Sequence, residues 1–92
     1  MKIVVNKCFG SFKVNMETVK KLNLETPWDL ECECDRTNSA LIELMESGFD
    51  VNSDVSELVV VEIPDEATDY KIVETDGYEQ LFYVLDGKIK TA

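Results

Sequence analysis

The three cysteines of this chain are its most chemically specific residues. Cys32 and Cys34 are separated by one residue in the stretch WDLECECD, and Cys8 lies just after an early β-branched stretch. From Trp28 onward, apolar residues or thiols alternate with carboxylates, and such a period of two is typical of a strand with one buried face and one exposed face. The pattern therefore predicts a strand whose inner face carries Trp28, Leu30, Cys32 and Cys34.

Converging thiolates would make a metal site the first chemical hypothesis. Three of them with one further ligand form a tetrahedral zinc site with Zn–S distances of about 2.3 Å. The chain has no histidine, so the candidate ligands are Cys8, Cys32 and Cys34 with Asp35 or a water molecule as the fourth. Three free cysteines packed in the core as small apolar residues fit the spacing equally well. A Cys32–Cys34 disulfide is the least favoured alternative, because its geometry is marginal and cytosolic thiols stay reduced.

The elements that must position these thiols are those of one small α+β domain spanning residues 1–92. We predict a mostly antiparallel sheet of about five to six strands with two short helices. Asn15 is predicted to cap the first helix, and Thr37 or Asn38 the second, which should end near Gly48. Besides the alternating segment, the expected strands lie near 2–6, at 57–63 as a buried central strand, and at 69–75, 78–85 and 88–91 around two Asp-Gly turns.

The net charge of the chain argues against direct binding of nucleic acid. Nineteen acidic residues stand against nine basic ones, a net charge of −10. A protein this acidic is repelled by phosphate backbones and anionic membranes, and it is attracted to proteins that hold nucleic acid. Solubility alone is the competing interpretation of the charge. We expect no direct contact with nucleic acid or membrane.

Other functions lack the residues that they need. The stretch that begins at Asp50 has neither the glycine nor the final glutamate of a calcium-binding loop. A cysteine nucleophile would lack the histidine that usually activates it, so we expect a protein that is not an enzyme. No apolar segment resembles a signal peptide or a membrane span, which predicts a cytoplasmic location.

Three stretches of the chain resemble, in the same order, a family of small proteins encoded by bacteriophages and prophages. They are IVVNKCFGSF at 3–12, DRTNSALIELMESG at 35–48 and VVEIPDEATDYKIVETDGYE at 60–79. Ser11 departs from the family pattern, which has a second glycine there, and the Cys32 and Cys34 pair is typical of a subgroup. The family as a whole has no assigned activity. More narrowly, the chain is similar to zinc-carrying anti-CRISPR proteins that inhibit the RNA-guided DNA nuclease of type II-A systems.

That resemblance implies a structural zinc, a location in the host cytoplasm and a type II RNA-guided nuclease as the protein partner. An acidic chain that mimics DNA could compete for the positively charged channel of such a nuclease. On charge density we place the contact on two acidic patches, formed by Asp29, Glu31, Glu33, Asp65, Glu66 and Asp69. An acidic mimic that binds another host nucleic-acid protein, and a phage structural or assembly component, are the alternatives.

Overall fold

Five strands and two α-helices make up the fold. The computed structural model describes all residues from 1 to 92. The elements, in chain order, are β1 Lys2–Asn6, α1 Met16–Lys21, α2 Ser39–Glu46, β2 Leu58–Glu62, β3 Asp69–Thr75, β4 Tyr78–Leu85 and β5 Lys88–Thr91, with a short 3₁₀ helix at Glu33–Asp35 before α2. The strands form two antiparallel sheets, β1-β2 and β3-β4-β5. The α+β class is confirmed, but the single sheet that we expected is divided in two.

The three C-terminal strands form where the Asp-Gly pairs predicted them. Asp76 and Gly77 have φ values of 50° and 88°, and Asp86 and Gly87 have φ values of 53° and 74°. Two successive residues with positive φ make the tight turn whose twist matches that of a hairpin. The predicted strands at 69–75, 78–85 and 88–91 are confirmed.

Both helices begin at their predicted caps. The side chain of Asn15 accepts a hydrogen bond from the Thr18 amide at 2.9 Å, and that of Asn38 accepts one from the Leu41 amide at 3.0 Å. Each bond satisfies an amide that has no partner inside its helix. Gly48 follows α2 with a φ of 93°, as expected of a residue just beyond a helix C-terminus. Neither helix is long and apolar enough to cross a membrane.

The β1-β2 sheet is a middle layer between the helices and the second sheet. Val4, Leu58 and the partly buried Val60 pack with the helices and their loops. Ile3 and Val5 face the other way and pack with Leu81 of the second sheet. The prediction that β2 is a central strand of one sheet is therefore wrong, since β2 pairs only with β1. The apolar residues along both of its faces are explained by layers above and below it.

The alternating segment is a series of turns, so the strand predicted there is wrong. The Glu31 amide donates to the Trp28 carbonyl at 3.1 Å, and the Asp35 amide donates to the Cys32 carbonyl at 2.9 Å. Both bonds span three residues, which is the spacing of turns and 3₁₀ helices. A strand also needs a neighbour for its backbone groups, and no strand pairs with this segment.

The burial that we predicted for this segment is likewise mostly wrong. Among the four residues expected to face inward, only Leu30 is buried. Trp28 is 46% exposed, and both Cys32 and Cys34 are exposed. The alternation of residue types therefore does not translate into an alternation of faces.

A buried ion pair between Arg36 and Glu79 joins this segment to the second sheet. The guanidinium donates to both carboxylate oxygens, at 2.6 and 2.7 Å. It also donates twice to the Glu31 carbonyl, at 3.0 and 2.8 Å, and lies 3.7 Å from the ring centre of Phe12. This two-pronged geometry is the strongest arrangement available to an arginine and a carboxylate.

The same pair occupies the edge of β1 that faces away from β2. The Val4 amide donates to the Arg36 carbonyl at 2.8 Å, and the Val4 carbonyl accepts from the guanidinium at 3.3 Å. Two residues further along β1, the Asn6 amide donates to a carboxylate oxygen of Glu79 at 2.7 Å. These contacts satisfy backbone groups that a further strand would otherwise bind. Arg36 and Glu79 thus substitute for a third strand beside β1.

We predict that replacing Arg36 with methionine strongly destabilises the protein. The change leaves Glu79 buried without its partner, and loss of one member of a buried pair typically costs about 3–5 kcal/mol. Urea unfolding, followed by the fluorescence of Trp28, would measure the effect. The matched control is Lys2→Met, which removes the exposed ion pair with Glu46 and should leave the midpoint almost unchanged. Equal midpoints for the two variants would contradict the role assigned to Arg36.

Candidate functional site

The turn at residues 32–35 brings two thiols and a carboxylate together. Cys32 is the N-cap of the 3₁₀ helix, and Cys34 lies in its centre. Their sulfur atoms are 2.9 Å apart. Asp35 joins them, with one ligand atom from each of the three residues lying within 4.8 Å of the others. The tight turn, not a strand face, is what makes the thiols converge.

This group could hold a metal ion. Two thiolates and a carboxylate are a suitable donor set for a borderline-soft divalent metal. A tetrahedral site needs sulfurs about 3.8 Å apart, so the thiols must separate by a small amount, which exposed side chains can do by rotating. The hydrogen bond with Cys32 raises the pKa of the Cys34 thiol. A metal must therefore displace protons from the pair when it binds.

Cys8 is not part of this group. Its sulfur lies 3.3 Å from the Val55 carbonyl oxygen and 3.5 Å from the side-chain oxygen of Asn6. The predicted site of Cys8, Cys32, Cys34 and Asp35 is thus reduced to three residues. Because Cys8 has no place in it, a metal bound there would stabilise the turn locally and would not join the turn to β1.

An acidic cleft of about 670 Å³ opens beside the thiol pair. The N-terminal loop, the turn segment and the β3–β4 hairpin form its walls. Five carboxylates and one guanidinium line it, a net charge of −4, from Glu31, Glu33, Glu74, Asp76, Glu79 and Arg36. Since Arg36 and Glu79 neutralise each other at its floor, the negative charge lies on the other four carboxylates.

Two glycines set the shape of this cleft. Gly10 lies against the backbone of Val55, and a side-chain carbon at Gly10 would collide with the Val55 carbonyl. Gly77, with its φ of 88°, lies against the backbone of Gly10, so a side chain there would also collide. The contact holds the N-terminal loop against the β3–β4 turn. Only residues without a side chain allow backbones to approach this closely.

The predicted acidic patches are divided by the fold. Glu31 and Glu33 are exposed and line the cleft. Asp29 instead closes a turn, where hydrogen bonds from the Thr26 hydroxyl and the Glu25 amide, each 2.7 Å long, hold its pKa below the usual value. The carboxylates that alternate with apolar residues and thiols in this stretch therefore do not share one strand face.

The second patch is similarly dispersed. Asp65 pairs with the terminal ammonium group at 2.7 Å, and this hydrogen bond lowers the pKa of Asp65. Asp69 begins β3, where its side chain accepts from the Tyr70 amide at 2.8 Å. Glu66 is exposed in the preceding turn. None of the three lines the cleft.

Sequence reasoning missed the residues that complete the cleft. Arg36 ends the turn segment, whereas Glu74, Asp76 and Glu79 are distant from it in sequence and are brought beside it only by the hairpin. One signal was present, since Arg36 is the only arginine in an acidic chain. Arginine is the residue best suited to buried ion pairs, whereas nothing in the sequence names Glu79 as its partner.

Comparisons with known proteins add no relative to this description. No family model matches the chain, and neither a curated protein nor a solved structure matches it. The cleft and the thiol pair are therefore the observations from which a function can be proposed.

We predict that the metal site depends on Cys32 and Cys34 but not on Cys8. Elemental analysis after incubation with zinc and removal of excess metal should find bound metal in the wild-type protein and in Cys8→Ser. The Cys32→Ser and Cys34→Ser variants should each lose most of it, because two of three ligands are too few for a tetrahedral site. Loss of metal in Cys8→Ser alone would show that the third thiol is a ligand after all.

Proposed function

We propose that this protein is an inhibitor encoded by a phage or prophage, and that it binds the positively charged surface with which a host protein holds nucleic acid. The acidic cleft is the observation that carries the proposal. It gathers a net charge of −4 on a chain whose total is −10. The favoured partner is a type II RNA-guided DNA nuclease, in keeping with the resemblance to anti-CRISPR proteins.

The electrostatics support this choice of partner. A guide-loaded nuclease holds its RNA–DNA heteroduplex in a positively charged channel. An acidic protein is attracted to such a surface and repels the DNA that competes for it. The cleft is also held by a buried ion pair and by the Gly10–Gly77 contact. Less conformational freedom is then lost on binding, which favours affinity.

We further propose that the metal held by Cys32, Cys34 and Asp35 is zinc. Zinc would supply a rigid tetrahedral centre for the turn, with the fourth position taken by water or by the partner. Glu31 and Glu33 flank these ligands in sequence and line the cleft. Zinc would therefore keep this rim of the cleft in one conformation. Its loss should weaken inhibition without unfolding the whole domain.

Two other functions remain as alternatives. The same charge would suit an acidic mimic of DNA directed at another host nucleic-acid protein, such as a restriction enzyme or a transcription factor. The size and the phage resemblance would suit a structural or assembly component of a virion. The first alternative predicts capture of a different protein from host lysate, and the second predicts copurification with phage particles.

We predict that reversing the charge of the cleft rim abolishes inhibition. The test variant is Glu31→Lys with Glu33→Lys, and the matched control is Glu17→Lys with Glu43→Lys, which changes the net charge equally at exposed positions away from the cleft. DNA cleavage by a guide-loaded type II nuclease, titrated with each protein, is the measurement. We expect the rim variant to need at least about tenfold more protein, equivalent to about 1.4 kcal/mol.

The outcomes separate the alternatives. Equal inhibition by the rim variant and the control would remove the cleft from the contact. The predicted patch outside the cleft can then be tested with Asp65→Lys and Glu66→Lys. No inhibition by the wild-type protein at any concentration would exclude the nuclease as the partner and leave the two alternative functions.

A further inference from the structure

The outer face of the β3-β4-β5 sheet is not covered by any other layer. On the inner face, Ile72 and Leu81 pack against the β1-β2 sheet. Side chains alternate between the two faces of a strand, and the pairing register places Val73, Phe82, Val84 and Ile89 on the opposite side. This face is independent of the acidic cleft and of the thiol pair.

The uncovered face carries a continuous apolar strip. Ile89 is 77% exposed and Val73 is 43% exposed. Together with the half-buried Phe82 and Val84 they border a shallow apolar groove of about 250 Å³. Scattered apolar residues on a surface are ordinary, whereas a contiguous apolar face marks an interaction site.

The charge of this face differs from that of the rest of the molecule. Among the side chains that the register places there, Asp69 and Lys71 alone are charged, so the face is neutral on a chain of net charge −10. Lys71 forms no ion pair within the chain. The carboxylates of the protein are therefore concentrated elsewhere.

We propose that a second copy of this chain docks on the face, in a two-fold dimer that packs the two sheets against each other. Two chains of charge −10 repel each other, and the neutral sheet face is where their approach costs least. A two-fold axis makes the surface meet itself, so that each Lys71 can lie near Asp69 of the second copy. The apolar strips then form the centre of a sandwich with sheets about 10 Å apart.

Pairing through the edge strand β5 is less favourable than packing through the face. The sheet has two edge strands, β3 and β5, and Lys88 and Lys90 belong to β5. Lysines on an edge strand oppose the addition of another strand, and pairing β5 with its own copy would bring like charges together. The open face carries no such barrier.

The size of the face predicts a weak dimer. Three strands about 4.8 Å apart and about seven residues long at 3.4 Å each give a footprint of roughly 10 by 24 Å. At roughly 240 Å² per copy, this footprint is smaller than that of a stable interface and falls in the range of weak contacts. The dimer should therefore form and dissociate with concentration, and should not be obligate.

Sedimentation equilibrium over a range of protein concentrations, with a metal chelator present, tests the proposal. The chelator removes any association bridged by a metal at the thiol pair, and an added reducing agent prevents disulfides between chains. We expect the weight-average mass to rise toward that of a dimer with concentration. Raising the salt concentration should strengthen association, because it screens the repulsion between two acidic chains.

Two variants of the face and one control complete the test. Val73→Asp and Ile89→Asp should each weaken the dimer at least about tenfold, since the two-fold axis places the new charge in the interface twice. Met16→Asp is the matched control, because Met16 is 59% exposed on α1, which packs on the other side of the β1-β2 sheet, and it should leave the dimer intact. A wild-type protein that stays monomeric at every concentration, or equal weakening by the control, would overturn the proposal.

Discussion

The buried ion pair between Arg36 and Glu79 is the constraint on which the rest of the structure depends. It links the turn segment to the second sheet and satisfies the free edge of β1. Buried charges are costly unless they are fully paired and hydrogen-bonded, and here every buried side-chain polar atom has a partner. Because the two-pronged pair has one geometry, it specifies how the turn segment and β1 lie against the second sheet. The same pair forms the floor of the acidic cleft.

The core around this pair is thin. Two apolar clusters, one on each side of the β1-β2 sheet, contain nine and four buried residues. The net charge of −10 opposes compaction in so small a domain. The fold accommodates the charge by leaving every carboxylate except Glu79 at least partly exposed. The carboxylates thus lie outside the apolar clusters that stabilise the fold.

The thiol pair and the cleft are connected through one short segment. Residues 31–36 supply the three residues that could hold a metal ion, two rim carboxylates and the buried arginine. A metal on the exposed side of this segment and Arg36 on its buried side would hold it from both directions. A metal bound within these six residues would therefore affect the position of the two carboxylates at the rim of the cleft. With a metal bound, this rim of the cleft would be held in one conformation although it consists of turns.

The chemistry of neighbouring residues in the sequence determined the hairpins and the helix starts of this protein. The Asp-Gly pairs specify hairpins because those residues accept positive φ, and Asn15 and Asn38 specify helix starts because their side chains satisfy free amides. The period-two alternation from Trp28 onward predicted a strand, but Arg36 draws the Glu31 carbonyl into a turn and takes the place that a strand would have beside β1. The sequence thus marked the thiols, the acidic character and the hairpins. Which carboxylates share a cleft, which thiols converge and how the strands divide into two sheets were decided by contacts between distant residues, which no local pattern encodes.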